Sequence, residues 1–102
     1  MEFIETSIFT RQIQALLSDD AYKALQSALI QQPDLGDVIQ GTGGARKMRW
    51  NYAGRGKSYG LRVIYVARAE RIYLLLTFEK SRKSDLTPDQ RRALAQIIKN
   101  LE

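Results

Sequence analysis

The sequence predicts an α+β domain: a small twisted antiparallel-rich sheet with helices packed against it, in the order β-α-α-β-β-β-α. Three observations predict it. Apolar residues recur at helical spacing between Phe9 and Leu29, and again between Leu94 and Leu101. Between these blocks, residues 61–67 and 72–78 are rich in branched and aromatic side chains and are separated only by residues 68–71, the pattern of an antiparallel hairpin at the centre of a sheet. A chain of 102 residues, 44% of them hydrophobic, can bury such a core without staples and has room for one domain, residues 1–102.

Residues 2–5 form a short candidate strand before Thr6 and Ser7, either of which can cap a helix. Phe9, Ile13, Leu16 and Leu17 then mark one helical stripe. Ser18-Asp19-Asp20 reads as the next cap, its acids suiting the positive end of a helix. Ala21, Tyr22, Leu25, Ala28 and Leu29 continue the period until Pro33 and Gly36 end it. An αα-hairpin is expected. Val38-Ile39 is a brief strand, and Gly41-Thr42-Gly43-Gly44 a loop. Residues 46–52 alternate, with Met48 and Trp50 on one side and Lys47 and Arg49 on the other, as in a half-buried strand with a basic outer face. Residues 53–60 read as a basic loop. Thr87-Pro88-Asp89-Gln90 is a capping box with proline at the first helical position. Leu94, Ile97, Ile98 and Leu101 form the stripe that this last helix lays on the sheet.

Charge is distributed unevenly. Residues 1–45 carry a net −4, residues 46–83 a net +9 and residues 84–102 none. The central block is the electrostatic footprint of a polyanion partner, or else a solvated basic face that keeps the chain in solution. There is no cysteine and no histidine. Disulfide frameworks, Cys/His zinc sites and imidazole catalysis are therefore excluded. No metal or cofactor is expected. The longest apolar run, residues 72–76, is far short of the ~20 residues of a membrane span. Glu2 and Glu5 stand where a signal peptide would be basic, so a cytoplasmic protein is expected.

Gly56-Lys57-Ser58 is not the end of a phosphate-binding P-loop, because Asn51 stands where the first glycine is required and strand residues follow. Gly41-Thr42-Gly43-Gly44 can be read as an anion-binding nest or, more simply, as a turn that needs glycine. Arg62 is the more informative residue. It opens a strand whose two faces are both apolar, so it needs either a solvent cleft for its guanidinium or an acidic neighbour such as Glu79. Arg46, Lys47, Arg55 and Lys57 precede the hairpin, and Lys80, Arg82 and Lys83 follow it. A central hairpin lets both sets share one groove with Arg62. Tyr59 is the best base-stacking candidate, while Trp50 reads as core. Basic side chains interleaved with aromatics suit single-stranded RNA.

Gly36-Asp37-Val38-Ile39-Gln40-Gly41-Thr42-Gly43-Gly44, Arg46-Lys47, Arg49, Gly56-Lys57, Gly60 and Arg62-Val63-Ile64-Tyr65, followed by Lys80, Asp85-Leu86-Thr87 and Gln90-Arg91, resemble HigB-type toxins of the RelE/ParE superfamily. The resemblance covers most of the chain, most strongly from about Pro33 to Leu94. It implies a RelE-like fold with an N-terminal αα-hairpin and a C-terminal helix. It further implies the toxin of a bacterial type II toxin–antitoxin system, cutting mRNA in the ribosomal A site by metal-independent attack of the 2′-hydroxyl on the adjacent phosphate. The implied partners are the ribosome with its mRNA and a cognate antitoxin of the helix-turn-helix, HigA-like kind, with operator DNA reached only through the antitoxin and no membrane.

On the same resemblance, Arg62 is the transition-state stabiliser and Lys80 a base or charge stabiliser, the former role needing a lowered pKa. Arg46, Lys47, Arg49, Arg55, Lys57, Tyr59, Arg82 and Lys83 would hold RNA. Phe78 replaces a customary tyrosine, Arg82 lies near a customary acid, and Ser58-Tyr59 replaces a basic residue and glycine. These departures imply weakened cleavage. The alternatives are a ParE-like inhibitor of DNA gyrase, and a degenerate module that binds RNA or antitoxin without cutting.

Overall fold

The computed structural model describes residues 1–51, 60–80 and 85–101. It is an α+β fold in which β1 (Glu2–Glu5), α1 (Ser7–Leu16), α2 (Asp19–Gln31), β2 (Asp37–Val38), β3 (Arg46–Trp50), β4 (Leu61–Arg68), β5 (Arg71–Glu79) and α3 (Pro88–Lys99) follow in chain order. Its radius of gyration of 12.9 Å is that of one packed body of this length. Among the described residues no helix is long and apolar enough to cross a membrane.

The expected order is short by one strand. The two residues of β2 pair with Arg46 and Lys47, so the described sheet has five strands in the order β1-β5-β4-β3-β2. It is mixed, because β1 runs parallel to β5 while the other three pairings are antiparallel.

Local chemistry sets the helix starts. Thr6 Oγ1 accepts from the Phe9 N–H at 3.0 Å, and Ser18 Oγ from that of Ala21 at 3.2 Å. Thr87 and Gln90 form the reciprocal capping box. The glycine loop is a turn: Gly41, Gly43 and Gly44 adopt positive φ, while the buried Thr42 hydroxyl donates to Ile39 O and accepts from Ala45 N.

Both faces of the sheet are covered. Phe9 and Ile13 of α1 and Leu25 and Leu29 of α2 pack on Met48, Leu61, Val63, Tyr65, Ile72 and Leu74. On the other face Leu86, Leu94 and Ile98 cover Ile39, Ala45, Ile64, Val66, Tyr73 and Leu75. Ile97, expected in that stripe, is exposed. Each fully buried Leu or Ile contributes about 1.5–3 kcal/mol relative to exposure, so the two helical layers carry most of the fold.

A β-bulge joins the layers. Ile64 opposes Leu76 but Tyr65 opposes Leu74, which leaves Leu75 as the extra residue of β5. The bulge resets the alternation. Tyr73 and Leu75 face α3, and beyond the bulge Leu76 and Phe78 face it too. Thr6 supports this irregularity, donating from its hydroxyl to Leu75 O at 2.8 Å. Further along the same edge, Gln12 Oε1 accepts from Thr77 N at 3.0 Å.

Thr6 thus caps α1 and anchors the bulge through one oxygen. Thr6→Ala should cost about 1–2 kcal/mol. Thr6→Ser, which keeps the hydroxyl, should restore most of the loss in a thermal unfolding series.

Candidate functional site

The register of the three adjacent strands places the candidate residues. Arg49 opposes Arg62, and Arg62 opposes Phe78. Directly opposed residues leave the sheet on the same side, so this row lies on the face that α3 covers further along, over Ile64 and Val66. Lys47 occupies that face as well, opposite Ile64. Lys80 follows the end of β5, its N–H bonded to Gly60 O at 3.0 Å, and its side chain is exposed.

A cleft of about 510 Å³ opens here, lined by Leu35, Asp37, Lys47, Met48, Arg49, Trp50, Arg62 and Lys80. Among the described residues β2 pairs only with Arg46 and Lys47, so the outer edge of β3 beside the cleft is unpaired from Met48 onward.

Arg62 is 9% exposed. Among the described residues no carboxylate forms an ion pair with it, and its guanidinium makes only a long 3.5 Å bond, to Leu61 O. Glu79 opposes Leu61 and so lies on the other face, which disposes of Glu79 as the neighbour that neutralises Arg62. Burial lowers the Arg62 pKa, and the adjacent Arg49 lowers it further, although a guanidinium stays charged at neutral pH. Like charges directly opposed across strands are destabilising. The row concentrates positive charge on one face with no carboxylate paired to Arg62 among the described residues.

Lys47 is differently placed. Its ammonium lies 3.3 Å from Asp85 Oδ1, while Arg91 lies 3.5 Å from Oδ2. Asp85 thereby links β3 to the start of α3. Its carboxyl is held below the usual range, first by the Leu86 N–H, then by Lys47 and Arg91.

Arg46 is not in the groove expected for it. Alternation puts it on the αα-hairpin face with Met48, and its guanidinium donates to Gly36 O at 2.7 Å and Asp34 O at 3.4 Å. It holds the chain entering β2. Phe78 shares Arg62's face but is absent from the cleft lining. Half-buried, it packs beside the α3-side core and lines a second depression with Gln12, Ala15, Leu16, Thr77 and Glu79. Trp50 packs partly against the αα-hairpin core, as expected. Arg55, Lys57, Tyr59, Arg82 and Lys83 lie outside the described residues.

Asp37 is the residue that sequence reasoning missed. The signal was present: it opens the brief strand beside the basic one. Only the register, which sets it opposite Lys47, puts it in the cleft. Among the described residues no three His, Cys, Asp or Glu side chains gather to hold a metal ion. No family model matches the chain.

Asp85 provides a pH test. Its carboxyl pKa is lower folded than unfolded, so its contribution is complete above the unfolded value and is lost as pH falls through the folded one. The pairs are exposed, so the contribution should be at most ~1 kcal/mol. Asp85→Asn should melt below the natural protein at neutral pH. The gap should narrow under acid, below about pH 4, and close when both proteins carry a neutral side chain there.

Proposed function

We propose that this chain is the toxin of a bacterial type II toxin–antitoxin system, an endoribonuclease that cuts ribosome-bound mRNA. The observation that carries the reading is Arg62: nearly buried, fixed on a central strand, opposed by a second arginine, and without a carboxylate partner among the described residues. A rigid uncompensated guanidinium facing a cleft is suited to a phosphate whose charge grows during reaction. The ordered motifs shared with HigB-type toxins support the same reading. So do the αα-hairpin, sheet and C-terminal helix, which are compatible with a RelE-like fold.

In the proposed reaction the 2′-oxygen bonds to the adjacent phosphorus and the 5′-oxygen leaves with a proton. The products are a cyclic 2′,3′-phosphate and a 5′-hydroxyl. Arg62, with Arg49 beside it, stabilises the charge on the non-bridging oxygens. Lys80 at the rim donates to the same phosphate or takes part in proton transfer. The wider basic block supplies salt-dependent affinity for ribosomal RNA and message. In this reading the protein works in the bacterial cytoplasm, and a helix-turn-helix antitoxin neutralises it and carries it to operator DNA.

A second reading, a related module that binds but scarcely cuts, is favoured by one observation. Phe78, the cross-strand partner of Arg62, has no hydroxyl to offer. Primer extension on messages from cells expressing the protein separates the readings. Codon-phased cuts support the nuclease. Translation arrest without cuts supports the binding module, and DNA damage without either speaks for gyrase.

Two variants sharpen the test. Arg62→Ala should lower cleavage by ~10²–10³ with little loss of melting temperature, because a repelled charge leaves with the packing of its stem; unfolding followed in parallel checks this. Phe78→Tyr tests whether position 78, beside Arg62 but outside the cleft lining, reaches the reacting groups. A rise in single-turnover cleavage toward the ~10²–10⁴ of a general acid–base group places it in the mechanism, and unchanged cleavage in a folded variant removes it. Its half-buried position should accept the hydroxyl without loss of stability, and ribosome binding should stay constant.

A further inference from the structure

One carboxylate stands among the cations of the cleft. Asp37 opposes Lys47 across the β2–β3 pair, so it leaves the sheet on the face of Lys47, Arg49 and Arg62, and it lines the cleft with them. Lys47 would be its natural partner, but that ammonium is engaged by Asp85 at 3.3 Å. Among the described residues Asp37 has no ion pair and no side-chain hydrogen bond.

Its backbone is firmly held. The buried Tyr65 hydroxyl donates to Pro33 O at 2.8 Å and accepts from Gly36 N at 2.9 Å. Arg46 donates to Gly36 O at 2.7 Å. Gly36 lies so close to β3 that a Cβ there would meet the Lys47 carbonyl at 2.9 Å. Three contacts thus fix the approach to an exposed acid that makes no contact of its own.

Chemistry narrows what such a group can meet. A carboxylate repels phosphate and accepts from N–H donors. In RNA the accessible donors are the 2′-hydroxyl, common to every nucleotide, and the base edges, where the exocyclic amines are the donors that differ between bases. Leu35 and Trp50 line the same cleft and offer apolar surface to a base. Asp37 lies two strands from Arg62 and two residue pairs along, about 12 Å between Cα atoms by sheet spacing. With both side chains reaching inward, that separation suits a phosphate at Arg62 and its nucleotide's base edge at Asp37.

We infer that Asp37 reads the base of the bound RNA, accepting from an exocyclic amino group, so that this subsite prefers cytosine to uracil. The inference rests on the RNA reading above and adds a specificity residue to it. Cytosine presents an amine at ring position 4, where uracil presents a carbonyl oxygen that a carboxylate repels.

Fluorescence anisotropy with short oligocytidylate and oligouridylate strands tests it without requiring cleavage. The natural protein should bind the cytidylate about tenfold more tightly, the value of one good base contact. Asp37→Ala should bring the ratio to unity, with the uridylate tightening as a negative charge leaves the cleft and the cytidylate losing its base contact. Asp37→Asn, which keeps the shape, should also lower the ratio. Thermal unfolding checks that both variants fold. If Asp37 merely trims the charge of the cleft, the natural ratio is already unity and the variants tighten both strands equally. That result, or a cytosine preference that survives both variants, overturns the inference while leaving the anion site standing. A natural protein that binds neither strand overturns the inference and the RNA reading together.

Discussion

Strands β4 and β5 are apolar on both faces, and water must be kept from both. Leu61, Val63 and Tyr65 project one way, Ile64 and Val66 the other, and all five are buried. A single helical layer satisfies half of this demand. The chain therefore divides its helices: the αα-hairpin covers one side and α3 the other. The bulge at Leu75 keeps β5 in phase with that division, and the Thr6 hydroxyl supports the bulge carbonyl. Where the α3-side cluster gives out, Arg62 begins. The cleft is the place where the covering of the second face ends.

Charge is handled in two ways across that cleft. Toward α3, Asp85 accepts from the Leu86 N–H and pairs with Lys47 and Arg91, so those cations contribute to holding β3 against the helix start. On the same face but beyond the cover of α3, Arg49 and Arg62 oppose one another with no acid between them among the described residues. Stability alone would not favour that arrangement. Under the proposed function, a bound phosphate would relieve that repulsion. Asp37 fits the same logic with opposite sign, an unspent acceptor on a held segment. In the proposed reading, the cleft offers separate places for an anion and for a donor.

Arg46 shows why a basic block is not by itself a binding surface. It belongs to the most basic stretch of the chain, yet the pleat turns it to the far side, where its guanidinium bonds to the Asp34 and Gly36 carbonyls. Its neighbour Lys47 faces the cleft. One residue of offset separates a structural cation from a surface one, because strand side chains alternate with a period of two. Phe78 makes the complementary point. Plain alternation along β5 would leave it with Ile72 and Leu74, facing the αα-hairpin. The extra residue at Leu75 sends it to the Arg62 side instead.

Features under local control were legible in the residue pattern. The helix caps at Thr6, Ser18 and Thr87, the amphipathic stripes through Phe9 and Ile13 and through Leu94 and Ile98, and the central hairpin all follow from spacing and from residue type. They act over a few residues, so pattern is sufficient to see them. That Arg62 needed either a cleft or an acidic neighbour was legible too, but the choice between them came from the register, which puts Glu79 on the other face. Other features depend on residues far apart in the chain. Which side each helix covers, the parallel pairing of β1 with β5, the bulge that redirects Phe78 and the placing of Asp37 opposite Lys47 are all of this kind. They emerge when the chain packs, because strand register is set by how two apolar faces are buried at once, a constraint that no short stretch of sequence contains.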